Sequence, residues 1–113
     1  MAIVSGYERL PPAELDSCPA DEISIEAAQP RLDPSLLEQL PSKRVILGVL
    51  DLNDMEVETA ETVADRIRAA LEHIDPERLM VGPDCGMKYL PRDVARGKLQ
   101  FLVEGAALAR ANL

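Results

Sequence analysis

Three short apolar runs, each closing on an acid or a thiol, constrain this chain more than any other feature. "EISIEAA" (22–28) is rich in isoleucine, "RVILGVLDL" (44–52) is nearly continuous, and "RLMVGPDC" (78–85) is the third. Continuous apolar runs of this length mark strands of a parallel sheet covered on both faces. The runs predict strands near 22–27, 44–51 and 79–83.

The segments between them carry helix signals. Asp33-Pro34 offers a cap and a first-turn proline, Leu36, Leu37 and Leu40 follow, and Pro41 closes the segment. From Thr59, apolar residues fall at Ala60, Val63, Ala64, Ile67, Ala70, Leu71 and Ile74, one stripe of a helix that Asp75-Pro76 ends. A last helix over about 92–111 starts near Pro91, with Ala95, Leu99, Leu102, Val103 and Ala106 as its apolar stripe. Residues 1–21, with Pro11, Pro12 and Pro19, read as an irregular lead-in with one helical turn. The alternation predicts an α/β fold of parallel βα units with right-handed crossovers. Three such units fall short of a closed (βα)8 barrel, which takes eight strands and roughly 250 residues. By itself the chain looks like part of something larger.

In βα proteins chemistry sits at the carboxyl ends of the strands. Here those ends carry Glu26, Asp51 and Asp84-Cys85. Read alone, Cys85 is either a small buried thiol or a thiolate held to bind something. Glu26 alone is a solvated strand end. Asp51 and Asp84 suit the capping of turn amides, or the orienting of a neighbouring ligand. His73, placed within the second helix, reads as a surface histidine, and Cys18 in its proline-rich loop as an inert thiol. Lys88 and Arg92 are rim cations, solvated or able to draw an anion.

Charge narrows the partners. Twenty acids against twelve bases give a net charge of −8, which argues against nucleic acid and anionic membrane. The start "MAIVSGYERL" lacks the pattern of a signal peptide, and no run approaches a membrane span. Two cysteines in 113 residues suit a reducing cytoplasm better than a disulfide framework. With 47% apolar residues but two Tyr, one Phe and no Trp, the core is built from aliphatic side chains.

The stretches "ADEISIEAAQPRLD", "VILGVLDLND" and "ERLMVGPDCGMKYLPRDVARGKL" resemble the C-terminal catalytic barrel of the cobalamin-independent methionine synthase family, from about Gly6 onward. Pro-Asp-Cys-Gly is the most specific element. The resemblance implies the C-terminal portion of a TIM-type barrel, its last three βα units. It implies zinc held by a His-x-Cys pair, a Glu and a late Cys, of which Glu26 and Cys85 match the last two. The His-x-Cys pair has no counterpart here: the only histidine is His73. Asn53 stands where the family has a histidine proposed as proton donor.

The implied reaction moves a methyl group from methyltetrahydrofolate to homocysteine, giving methionine. Its thiol must act as a thiolate, which zinc in an open site favours at neutral pH. Two ligands of four predict that the chain alone is inactive. The alternatives are a related zinc-thiol alkyltransferase using an epoxide and coenzyme M, or a non-catalytic remnant or barrel-completing subunit. Open strand edges predict a homo-oligomer, or association with the missing barrel half.

Overall fold

The computed structural model describes residues 2–4, 16–28, 33–84, 86–111 and 113. Its centre is one parallel sheet of β1 (Ala2–Val4), β2 (Glu22–Glu26), β3 (Arg44–Leu50) and β4 (Leu79–Pro83), in that spatial order. The three apolar runs form β2, β3 and β4. The first strand lies in the segment expected to be irregular, because three residues are too few to show a period. Asp16 and Ser17 are helical, and the rest of the predicted lead-in turn lies outside the described residues.

The crossovers follow local chemistry. Asp33 caps a 3-10 turn over Pro34–Gln39 by accepting from the Ser35 amide (3.0 Å). The proline at its first position fixes the entering backbone angle. Helix α1 (Ala60–Leu71) starts at Thr59, whose hydroxyl accepts from the Thr62 amide, and buries Val63, Ala64, Ile67 and Ala70. It ends before His73, which lies in the following turn rather than within the helix. Asp75-Pro76 opens a separate 3-10 turn, Pro76–Arg78.

Helix α2 (Arg92–Arg110) buries Lys98, Leu102, Gly105 and Ala109. Two members of the expected stripe face outward instead: Leu99 and Val103 are exposed. The rotation has two causes. Small residues let α2 approach α1 so closely that a Cβ on Gly105 would sit 2.6 Å from Val63 and 2.9 Å from the Ala60 carbonyl. The long Lys98 side chain also finds oxygen partners inside, described below.

Strand pairing sorts the sheet's side chains into two faces. Ile23, Val45 and Leu79 are in register, as are Ile25, Leu47 and Val81, and these pack into the core with α1 and α2. The opposite face carries Ser24, Ile46 and Met80 at one level and Glu26, Gly48 and Gly82 at the next. The expectation of cover on both faces is not met among the described residues. Met80 is 40% exposed and Ile46 and Ser24 are only half-buried, because both long helices pack on the other side.

Gly105→Ala should lower the midpoint of urea unfolding by the equivalent of about 1–3 kcal/mol, since the added methyl meets a backbone oxygen and a stiff valine. Gly86→Ala, with nothing within 4 Å, should change stability by less than about 0.5 kcal/mol.

Candidate functional site at the strand ends

The carboxyl ends of β2, β3 and β4 lie along one rim, as parallel pairing requires. Asp84 organises it. Its side chain is buried, and Oδ1 accepts from the amides of Ala27 (3.2 Å) and Ala28 (3.1 Å), which follow β2. Its own amide donates to the Leu50 carbonyl (3.2 Å) at the end of β3. The sequence suggests a cap within its own turn; the structure has it capping a turn 56 and 57 residues away. The carboxylate crosses β3 over Gly48, where a Cβ would lie 2.2 Å from Oδ1 and 2.7 Å from the Asp84 Cα.

The second organiser was missed in the sequence. Lys98 of α2 is fully buried, and Nζ donates to the carbonyls of Asp51 (2.9 Å) and Glu56 (2.8 Å) and to Glu58 Oε1 (2.6 Å). Three donors meet three acceptors, which is what a buried ammonium requires. Glu58 Oε2 accepts from the Asp51 amide (2.7 Å) and Arg66 Nη1 (3.1 Å), and Arg66 also reaches the Val49 carbonyl (2.7 Å). Burial raises the Glu58 carboxyl, but Lys98, the Asp51 amide and Arg66 outweigh it and hold the group below the usual glutamate range. The one sequence signal was a lysine on an otherwise apolar helix face, four residues before Leu102.

These contacts fasten the loop 51–58 at both ends. At its tip Asp51 Oδ1 accepts from the Asn53 amide (2.9 Å), the local cap expected of it, and Asp54 Oδ1 from the Glu56 amide (2.9 Å). Asn53 is exposed on this loop. A cleft of ≈ 470 Å³ lies between the 3-10 turn, the end of β3 and α1, lined by Asp33, Asp51, Asp54, Glu58 and Arg66 among others. Among the described lining residues the cation is Arg66, and it is paired with Glu58.

The remaining candidates fall as follows. Glu26 ends β2 on the uncovered face, half-buried, level with Gly48 and Gly82. Cys85 lies outside the described residues. His73 follows the C-terminal end of α1, its Nδ1 2.8 Å from Glu38 Oε2. Cys18 is a half-buried free thiol whose carbonyl accepts from Lys43 (2.7 Å). Lys88 lies over the ring of exposed Tyr89 (5.0 Å). Among the described residues no three His, Cys, Asp or Glu side chains gather as a metal site, and Asp84 Oδ1 already holds two amides. The described residues by themselves do not fit a zinc centre. None of the described helices is long and apolar enough to cross a membrane.

Comparison with known proteins agrees with this architecture. A family model described as the catalytic domain of the cobalamin-independent synthases matches residues 6–108. The methionine synthase of Thermococcus kodakarensis is 37% identical over 99 residues, 87% of this chain and 30% of its own length. That of Sulfolobus acidocaldarius is 35% identical over 107 residues, 95% of this chain and 31% of its own. The structure of a B12-independent methionine synthase from Shewanella sp. W3-18-1, in complex with selenomethionine, superposes with a TM-score of 0.85 at 37% identity. It covers 89% of this chain and 30% of that one. The chain thus spans under a third of the length of these relatives.

Two outcomes test the rim. Gly48→Ala should destabilise the fold by about 2 kcal/mol or more. In an Asp84→Gly background the penalty should shrink but persist, because the Asp84 backbone is itself too close. The Glu58 carboxyl ionises more readily folded than unfolded, so its contribution is complete above the ordinary value of 4.5 and fades as pH falls through the lowered folded value. Glu58→Gln should therefore be less stable than wild type at neutral pH. The gap should narrow on acidification, read by chemical denaturation across the acid range.

Proposed function

Since the chain belongs to the catalytic-domain family of the cobalamin-independent synthases, we propose that it supplies one wall of a methyl-transfer barrel. The reaction it serves passes a methyl group from methyltetrahydrofolate to the thiolate of homocysteine, yielding methionine. The reading takes Glu26 and Cys85 as two of four zinc ligand positions, with the His-x-Cys pair contributed by barrel residues outside this chain. A reducing, cytoplasmic setting belongs to the same reading.

The Asp84 clasp is the observation that supports it best. By bonding the amides of Ala27 and Ala28, Asp84 draws the residue before Cys85 to the residues just after Glu26. The two family positions thus flank one short set of hydrogen bonds. What this chain's own residues do is hold shape. Asp84 fixes the end of β4 against that of β2, and Lys98 and Glu58 fix the loop that carries Asn53. Asn53 is an amide and cannot act as a proton donor in the manner of an imidazolium. The acid step therefore falls to a group other than residue 53.

Two ligands are too few to hold a zinc ion firmly or to acidify a bound thiol. The isolated chain should bind Zn²⁺ weakly and show no methyl transfer. Mixing it with a polypeptide that carries a relative's preceding strands and His-x-Cys pair should raise zinc affinity by orders of magnitude, measured by competition with a chromophoric chelator. In that mixture Cys85→Ser should abolish most of the gain and Cys18→Ser almost none. Equal effects of the two substitutions would remove the reason for singling out Cys85.

A further inference from the structure

Every described lysine and arginine before residue 88 is held: Lys43 and Arg78 by carbonyls, Arg44, Arg66 and Arg68 by acids. The cations of α2 divide. Lys98 is buried and bonded, whereas Arg92, Arg96 and Arg110 are exposed and meet no acid among the described residues. With Leu99 (44% exposed) and Val103 (69%) they fall four, three, four and seven residues apart, one stripe along the helix. The helix's own acids keep off it. Asp93 and Glu104 lie on the neighbouring strip with Gln100, whose amide donates to Glu104 (3.3 Å). The stripe faces away from α1, which α2 meets at Gly105, and runs beside β4, where Ala106 and Arg110 border a cleft of ≈ 460 Å³ with Leu79 and Met80. Solvated arginines by themselves need no partner. Two aliphatic side chains set between them, continuing into an apolar cleft, do.

Resting on the barrel reading above, we propose that this flank of α2 docks a helix of the barrel residues outside this chain. That helix is aliphatic at its centre and acidic where it meets Arg92, Arg96 and Arg110. Helices form a ring around the strands of a barrel, so each has two neighbours. One neighbour of α2 is α1, and the stripe is the flank left for the other. The relatives carry the remainder, since this chain spans 30% and 31% of two of them. The arginines define the partner's chemistry. Charges flanking an apolar seam between helices select the helix that pairs there, and a row of three cations selects acids. The stripe of a second α2 would set arginines against arginines in either direction. An anionic membrane does not suit a chain with twenty acids and twelve bases.

The test co-expresses the full 113-residue chain with a polypeptide carrying the preceding strands and helices of the Thermococcus kodakarensis relative, so that each can fold on the other. Association, read by sedimentation velocity, should weaken as salt rises. Arg92→Ala, Arg96→Ala and Arg110→Ala should each weaken it by about 1.5- to fivefold, the usual effect of losing one exposed ion pair. Reversing all three to glutamate should weaken it by roughly thirtyfold or more, and Val103→Glu by roughly tenfold. Gln100→Ala, on the neighbouring strip, should change it by less than about twofold, and circular dichroism of every variant should match the parent. Arg96→Lys should keep the affinity and, with a carbodiimide, couple to a carboxylate that mass spectrometry places in a helix of the partner. No association, association indifferent to salt and to the three arginines, or coupling to an acid outside a helix would each overturn the proposal. Arginine-dependent self-association, or arginine-dependent sedimentation with vesicles of phosphatidylcholine and phosphatidylserine, would overturn it in favour of those occupants. Cys85→Ser should leave every one of these readings unchanged. A gain in zinc affinity on an association indifferent to the arginines would sink the seam and leave the methyl-transfer reading standing; the opposite pair of results would do the opposite.

Discussion

One carboxylate crossing one strand sets the geometry of the functional end. Asp84 leaves β4, passes over β3 and reaches the backbone beyond β2. The crossing is possible only where β3 has no Cβ, and the register supplies Gly48 at that level. Hydrogen bonds to a charged acceptor contribute about 1.5–3 kcal/mol each. Two of them here join strands that share no ladder of their own. Without the clasp, β2 and β4 are related only through β3, and the relative height of Glu26 and the Pro83-Asp84 turn is free to drift.

Both ends of the sheet are tied by charged side chains on backbone groups, for a reason that precedes function. Turns leaving parallel strands lead into helix starts and present amides; turns entering strands follow helix ends and present carbonyls. At the carboxyl end acids hold amides, Asp84 those of Ala27 and Ala28 and Glu58 that of Asp51, while Lys98 and Arg66 hold the carbonyls of Asp51, Glu56 and Val49. At the amino end two cations hold carbonyls, and Asp16 holds the Ser42 amide. Lys43, just before β3, bonds the carbonyls of Cys18 and Ala20 ahead of β2, and Arg78, just before β4, bonds those of Leu40 and Lys43. Acids at strand ends are therefore first a backbone requirement. Asp51, Glu58 and Asp84 meet it, and the proposed metal role of Glu26 rests on the family resemblance alone.

How much the sequence disclosed follows from the range of each interaction. Strands β2, β3 and β4 and helix α1 are written in local pattern: apolar runs of strand length, a threonine cap, a stripe at helical spacing. The roles of Asp84 and Lys98 are not, because their partners lie about 40 to 57 residues away and no periodicity marks them. Helix α2 misled for the same reason. Its stripe through Leu99 and Val103 is a sound amphipathic pattern, but Gly105 against Val63 and the Lys98 cluster set its rotation. The apolar stripe runs on to Ile74 and so takes in His73, although the helix stops at Leu71.

The uncovered face shows what a continuous apolar run reports. "VILGVL" is apolar at every position, and that pattern fits a strand dry on both sides. In this chain Val45, Leu47 and Val49 are dry against the helices, while Ile46 is half-buried and its neighbour Met80 is open. Burial leaves its imprint on the side chains of the finished assembly, whichever residues complete it. A run that is apolar on both faces within a sheet covered on one thus points outward, to further strands. Glu26, Gly48 and Gly82 interrupt the apolar pattern on that same face at the level of the rim. There a carboxylate and two bare backbone positions replace bulk, and the interior opens where a barrel's mouth would be.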